Sequence, residues 1–572
     1  MAMRRASSGG RTGGGGFSNV VGGFVAGLYS VPEGIGYASL AGINPMLGVY
    51  SGMVPVAVTA AVTGSVLMMS TLTSAIALTM AGVLGEGGYQ DAEVVQAVVT
   101  MSLLAGAIMF LLGLFKLGKV VNFVSNAVMT GFVGGVAVLI TVGKLGDIFG
   151  YDPSGFSNKV VKGADIILHP GDWDLTTTAV GLGTVAVAFA LKAVRPLSRY
   201  ALVLVVILGT AVVWVLGIDT STIADQAKIE TGLAALPLPD SLDVLPDLAM
   251  VPGLLIGSVS IAIVALAQGA GIRPAFPNPD GSRAGSSRDF MAQGLGNLAG
   301  AFFQSTPVGG SLSRTAVSAE GGADRRWAGY VAGGTVVLIV VAFGDAIGHI
   351  PEAVIGGLLL VIGVDLVVGR LPDARLAWRA GPAPRVLLVV TFVLTLAVPL
   401  QWAILGGAVL SLLAYVGASS RAARLRRIVR DDQGWMLTDE VPATLPPGEP
   451  VLLRYSGPNF FAVVTSIADQ LPQPDPDHPG VVVVDLGELQ HFSSTMLKEV
   501  DHYLEQLHSA GSALVLVGID DEERQVLSRT GLVDRVGEAN ILPLEPHIDV
   551  AFEAALRAGR DRLEQLQREA RS

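Results

Sequence analysis

Two polar interruptions in an otherwise apolar chain carry the chemistry. One is Ser70-Thr71-Leu72-Thr73-Ser74. The other runs from Phe302 to Gly322 and holds Pro307, Gly309, Gly310 and a lone arginine, Arg314. Both lie between apolar runs, so both fall at membrane depth. A helix that begins there leaves its first N–H groups unpaired in lipid, at a cost of several kcal/mol each unless something fills the site. The helix start carries roughly half a positive charge, and Arg314 adds a full one. The 302–322 stretch therefore reads as the half-helix of an anion site, and the hydroxyls at 70–74 as a break with a second half-helix starting near Thr73. The competing readings are a glycine-rich packing helix whose Arg snorkels to the interface, and Ser/Thr hydroxyls bonding back to their own helix. A third group is Glu33, in the first apolar segment after Pro32, which is expected to break that helix. A carboxylate inside a membrane is costly and is a functional candidate by default. Its alternatives are a protonated acid or a cap on a neighbouring helix.

The elements that must position these groups are membrane helices. Of 572 residues, 51% are hydrophobic and 15% charged, and the mean hydropathy is +0.58. This is too apolar for a water-soluble enzyme of this size. The 72 glycines suit helices packed closely in lipid. Residues 1–16 are basic and Gly/Ser-rich, a disordered tail. Spans are expected from about Phe17, then near 47–64, from Thr73, 93–115, 120–142, 175–194, 200–217, 251–271, 289–303, 311–321, 326–344, 353–369, 384–399 and 402–418. That makes about fourteen, with an extramembrane loop at 218–250. An even count puts both ends on one side. The arginines before the first span and at 421, 424, 426, 427 and 430 favour the cytoplasm.

Residues 124–145 and 350–371 match at an offset of 226. Ala127, Val128 and Gly131 meet Ala353, Val354 and Gly357; Gly143, Lys144 and Leu145 meet Gly369, Arg370 and Leu371. Two seven-span halves have opposite orientation because seven is odd. Inverted repeats whose broken helices meet at the midplane are a transporter plan.

After the spans, 421–450 reads as a basic, proline-rich linker. Strands are then expected at 451–455, 481–486 and 513–519, with helices at 458–471, 493–511 and from about Asp521 to Thr530. The alternation implies an α/β domain at 451–555, followed by a C-terminal helix or tail at 556–572.

Three segments carry a family resemblance: VPEGIGYASLAGINPMLGVYSG, NLAGAFFQSTPVGGSLSRTAVSAEGG and HIPEAVIGGLLLVIGV. Together they resemble the SulP family of anion transporters, the sulfate permease and prestin-like group. The resemblance implies fourteen spans in a transmembrane domain at 17–420, divided into core and gate, a homodimer in the plasma or inner membrane, and a C-terminal STAS domain. Its substrates include sulfate, bicarbonate, chloride, oxalate and dicarboxylates, with a proton or sodium as coupling ion. Carried over, the anion site uses Thr73 and Ser74 on span three. On span ten it uses the N–H groups of Gly310, Ser311 and Leu312, with Ser313 and Arg314 nearby.

The chain departs from the family pattern at two places. The span-three break lacks the family's Gly and Pro. Where relatives carry an Asp or Glu on span eight, this chain has Gln268, which cannot take up a proton. Relatives often have Gln where this chain has Glu33, so Glu33 is the expected coupling acid. In the STAS-like region, Ser494 matches a serine that is phosphorylated in related anti-sigma-factor antagonists. Ser493 replaces the Asp before it, and an ordinary helix cap is the competing reading.

The chain has no cysteine, which excludes disulfides and thiol chemistry. No HExxH pattern, nucleophile–base pair or GxxxxGK[ST] loop is present. Neither an enzyme, a cofactor, a metal nor a nucleic-acid partner is expected. A channel using the same site and a sensory membrane protein remain as alternatives to a secondary transporter.

Overall fold

The structure, a computed structural model, describes residues 16–90, 92–118, 124–153, 158–198, 200–226, 232–238, 245–282, 285–422, 424–432, 434–457, 467–489 and 492–569. Most of the predicted tail and the first nine residues of the helix expected at 458–471 lie outside these. The chain divides into two compact units, Met1–Leu412 and Leu413–Ser572.

The first unit is helical. Its elements are α1 (Gly16–Ala41), α2 (Pro45–Tyr50), α3 (Val54–Val62), β1 (Ser70–Thr71), α4 (Ser74–Gly87), α5 (Ala92–Leu114), α6 (Asn126–Gly143), α7 (Leu145–Phe149), α8 (Lys159–Leu168), α9 (Leu175–Ala193), α10 (Arg195–Ser198), α11 (Ala201–Leu216), α12 (Ile223–Gln226), α13 (Val251–Ala275), α14 (Ser286–Ala301), β2 (Gly309–Gly310), α15 (Leu312–Glu320), α16 (Trp327–Gly348), α17 (Glu352–Ala380), α18 (Pro382–Ala397) and α19 (Leu400–Ala422). Among the described residues, eight helical segments are long and apolar enough to cross a membrane. Ser74–Gly87, Ala201–Leu216 and Pro382–Ala397 are shorter apolar helices. Ile207, Trp214, Leu338 and Val386 are exposed. Such a belt is unfavourable in water and natural against acyl chains.

The first helix corrects one expectation. Pro32 lies inside α1 and does not end it. Proline removes one ladder bond, but packing on both sides holds the helix, as membrane helices allow. Around Pro32 every residue from Tyr29 to Ala38 is buried.

The sequence repeat has a packing counterpart. A Cβ on Gly131 in α6 would press into the carbonyl oxygen of Leu388 in α18, and one on Gly357 in α17 would stand 2.7 Å from that of Gly181 in α9. Matched glycines thus let matched helix pairs approach to backbone contact. The two halves share a packing rule, and not only a run of similar letters.

The second unit is an α/β domain. Its sheet has the order β4-β3-β5-β6-β7-β8, from β3 (Arg424–Asp431), β4 (Gly434–Thr438), β5 (Val451–Ser456), β6 (Val481–Asp485), β7 (Ala513–Ile519) and β8 (Ile541–Pro543). Strands β5 to β8 are parallel; β3 runs antiparallel to β4 and β5. Helices α20 (Ser494–Ser509), α21 (Asp521–Arg529) and α22 (Leu532–Val536) cover one face. The amphipathic α23 (Ile548–Glu569) covers the other, setting Phe552, Ala555 and Leu563 against Val481, Val483 and Val515. Two expectations are corrected. The stretch read as a linker contains the β3–β4 hairpin, in which Leu425 and Ile428 are buried while the arginines stay at the surface. The last helix runs unbroken through residue 556, because its apolar stripe needs the sheet to cover it.

Candidate anion-binding site

The two interruptions meet. Strands β1 and β2 pair antiparallel, with Ser70 opposite Gly310 and Thr71 opposite Gly309. Each strand is followed within two residues by a helix, so α4 and α15 leave the pair in opposite directions with their N-termini together. The caps are equivalent. Thr73 Oγ1 accepts from the Ile76 N–H at 3.4 Å, and Ser311 Oγ accepts from the Arg314 N–H at 3.4 Å. Both cap residues have extended backbone, as an N-cap requires.

The glycines are there for closeness. A Cβ on Gly309 would lie 2.8 Å from Ala265 Cα, and one on Gly310 2.8 Å from Gly269 Cα. Both targets are backbone atoms of α13, which cannot yield. Gly309→Val is therefore expected to push α13 and β2 apart at a cost of about 1–3 kcal/mol. Thermal unfolding and anion uptake by the purified variant would measure it; wild-type values for both would refute the packing argument.

The pairing of strands also corrects the predicted donor set. The Gly310 N–H donates to Gln293 Oε1 at 2.9 Å, and the Ser311 N–H to the Met69 carbonyl at 2.8 Å. Neither is free for an anion. Asn297 seals the other side, accepting from Val308 N at 2.7 Å and donating to the Val308 carbonyl at 2.9 Å. The N–H groups without a partner among the described residues are those of Ser74 and Ala75 on α4, and of Leu312 and Ser313 on α15. These are the first two of each helix, which no intrahelical carbonyl can reach. Leu312 from the predicted set thus keeps an open N–H group, those of Gly310 and Ser311 are spent on the scaffold, and Ser74, Ala75 and Ser313 carry the other open ones. Ser311 Oγ and Ser313 Oγ lie 3.1 Å apart.

Arg314 does not snorkel. It is 2% exposed, the largest fully buried side chain described. Its Nη1 stands 2.6 Å from Glu33 Oε2. Its Nε donates to Ser30 Oγ at 3.0 Å, and Nη1 to Ser311 Oγ at 3.4 Å. Glu33 is 3% exposed, and Tyr37, one turn further along α1, is buried beside it. Gln268, on α13, accepts from Thr73 Oγ1 at 2.9 Å. Thr73, Ser74, Gly310, Ser311, Leu312, Ser313, Arg314, Glu33 and Gln268 thus form one neighbourhood.

Reasoning from sequence missed Ser30, Tyr37, Gln293 and Asn297. A signal was present for all four. Ser30 and Tyr37 flank Glu33 at three and four residues, and Gln293 and Asn297 are four apart, so each set shares a helix face.

Ser494 belongs to the second unit. Ser493 is the cap of α20, accepting from Met496 N at 3.2 Å; Ser494 is the first helical residue and is exposed. In the same domain Asp485 is held above the usual carboxylate range by burial, offset by the Gly487 N–H and by Arg454.

Residues 17–391 match the sulfate permease family, and 441–551 match the STAS domain. Sulfate transporter 4.1, chloroplastic, of Arabidopsis thaliana is 23% identical over 553 residues, covering 91% of this chain and 78% of its own. Human solute carrier family 26 member 6 is 27% identical over 424 residues, covering 70% of this chain and 54% of its own. The overall structure of SLC26A9 superposes with a TM-score of 0.80 at 19% identity, over 96% of this chain and 91% of that one. The transmembrane domain of the cyanobacterial bicarbonate transporter BicA gives 0.55 at 18% identity, over 70% of this chain and 97% of that one. With broken helices meeting inside a helical membrane unit, a STAS domain following it in the sequence and a family match over most of its length, the chain belongs to the sulfate permease family of anion transporters.

Proposed function

We propose that this protein is a secondary active transporter of a small inorganic anion, sulfate first, and that a proton is its coupling ion. The observation that carries this is the buried Glu33–Arg314 pair beside two opposed helix starts. With Glu33 ionised the pair is neutral, and the anion meets only the two helix dipoles, about half a charge each. With Glu33 protonated, Arg314 is released to face the anion as a full cation. Proton and anion therefore bind best together, which is symport. The N–H groups of Ser74, Ala75, Leu312 and Ser313 ligate the oxyanion, as at other helix starts, and Thr73 and Ser311 hold those starts in place. Gln268 orients Thr73 and takes up no proton. Movement of the core carrying this site against the rest of the membrane unit then exposes it to either side in turn. The arginine distribution favours cytoplasmic termini in a plasma or inner membrane. The family resemblance favours a homodimer, and the STAS domain, with Ser494 exposed, is read as a regulatory module.

The test is uptake of radiolabelled sulfate into proteoliposomes holding the purified chain, with bicarbonate, chloride and fumarate as unlabelled competitors and an inward proton gradient on or off. Saturable uptake, stimulated by the gradient, is expected. Flux of a competitor without sulfate flux would change the substrate and keep the site. No flux of any anion would refute the transport mechanism.

A further inference from the structure

Helices α1, α11 and α16 border a groove of about 680 Å³ on the membrane unit. Its walls include Pro32 of α1, Val203, Val206 and Ile207 of α11, and Ile339 and Phe343 of α16. Ile207, Phe343 and Trp214, which also line it, are exposed, so the groove opens into the apolar belt. Water is a poor filling for such a surface, and close packing does not leave a void of this size empty.

The length of the groove says what fills it. It reaches from Pro32, in the interior of α1, to the last turns of α11 and α16. Along α11 it follows the chain from Val203 to Trp214, a rise of about 16 Å. That is the depth of one leaflet, half of a hydrocarbon core about 30 Å thick. A lipid acyl chain has this length and this chemistry.

The rim of the groove says which lipid. Helix α16 loses its regular backbone at Phe343 (φ −129°, ψ 21°), and Asp345 and His349 follow at the rim. Asp345 is exposed, and its carboxylate has no partner among the described residues. His349 Nδ1 donates to the Asp345 carbonyl at 2.8 Å, which leaves Nε2 of the neutral ring as an acceptor. No lysine or arginine is among the described lining. Two acceptors, one of them charged, suit an ammonium group that donates hydrogen bonds. One turn deeper than Trp214, about 6 Å along α11, Thr210 Oγ1 is buried without a hydrogen-bond partner. A hydroxyl at that depth meets the ester carbonyl of a glycerolipid.

We propose that this groove binds one bilayer lipid with a primary-amine headgroup, phosphatidylethanolamine. Its ammonium lies between Asp345 and His349 Nε2, Thr210 donates to an ester carbonyl, and one acyl chain runs inward to Pro32. A choline headgroup carries the same positive charge but has no N–H to donate. A glycerol headgroup leaves the lipid anionic beside Asp345. The inner end of the groove is the turn of α1 just before Glu33, so the chain packs against the helix that carries the buried acid. The site rests on the groove and its rim, and needs no transported anion.

Quenching of Trp214 fluorescence by lipids with brominated acyl chains tests it, on the full chain in nanodiscs of otherwise unbrominated phosphatidylcholine. The Trp214 signal is the difference between each protein and its Trp214→Phe counterpart. Brominated phosphatidylethanolamine, phosphatidylcholine and phosphatidylglycerol are added at equal low fractions. The first is expected to reach half-quenching at a fraction about three- to fivefold lower than either of the others, as one exposed ion pair allows. Asp345→Asn, a surface change that should fold as the wild type does, is expected to bring the three lipids level. Equal quenching by all three in the wild type would reduce the groove to ordinary contact with bulk lipid and overturn the site. So would a lead for phosphatidylethanolamine that survives Asp345→Asn. Anion flux bears on neither result, so this site and the transport reading fail separately.

Discussion

Anion uptake by an Arg314→Gln variant is expected to drop about a hundredfold or more, corresponding to roughly 3 kcal/mol or above. Two losses add. The anion of the proposed site loses the one full positive charge placed there among the described residues, and Glu33, 3% exposed, is left in the interior without its partner. Breaking a buried pair from one side typically costs about 3–5 kcal/mol, so the single variant is also expected to unfold at lower temperature. The double variant Glu33→Gln/Arg314→Gln separates the two effects. With neither charge left alone, its thermal stability should return close to wild type while uptake stays lost. Stability and uptake recovering together would mean that Arg314 serves the fold and not the anion.

The Glu33→Gln variant should behave differently, and its pH profile is the informative readout. Under the proposed proton coupling, wild-type uptake should rise as the pH outside falls, because a protonated Glu33 would leave Arg314 to the anion. Glutamine holds the site in the released form at every pH. The variant should therefore show a flat profile, retain anion exchange, and lose the ability to concentrate anion when a proton gradient is applied. Initial rates across weakly acid to weakly alkaline media, with and without the gradient, measure this. A variant that keeps the wild-type slope would place the coupling proton elsewhere.

Much of the site was legible because the constraints are local. A helix cannot start in lipid without a cap, so Thr73 and the Pro307–Ser311 stretch announced the two starts through residue type alone. Glu33 and Arg314 each stood out as an intramembrane charge. Their contact was not legible, since it joins residues 281 positions apart and depends on where α1 packs. Which N–H groups stay open at the two starts was not legible for a related reason. Pairing of β1 with β2 consumes the Ser311 N–H, Gln293 consumes that of Gly310, and such competition is tertiary. In the C-terminal domain the buried strands Val481–Asp485 and Ala513–Ile519 were plain from their apolar runs. The β3–β4 hairpin was hidden because arginines on an exposed strand resemble a solvated charge run, and only Leu425 and Ile428 betray the buried side.

The neutrality of the Glu33–Arg314 pair has an electrical consequence. An empty carrier whose buried pair sums to zero moves no side-chain charge when it reorients, so membrane voltage should not act on the return step. Under the proposed proton coupling, the loaded step carries the net charge of proton plus anion. With one proton, a monovalent anion crosses as a neutral complex, while sulfate leaves one negative charge, opposed by an inside-negative potential at about 2.3 kcal/mol per 100 mV. A potassium diffusion potential imposed on the same proteoliposomes would then slow sulfate entry and leave entry of a monovalent anion unchanged. Substrate valence would be read from voltage alone.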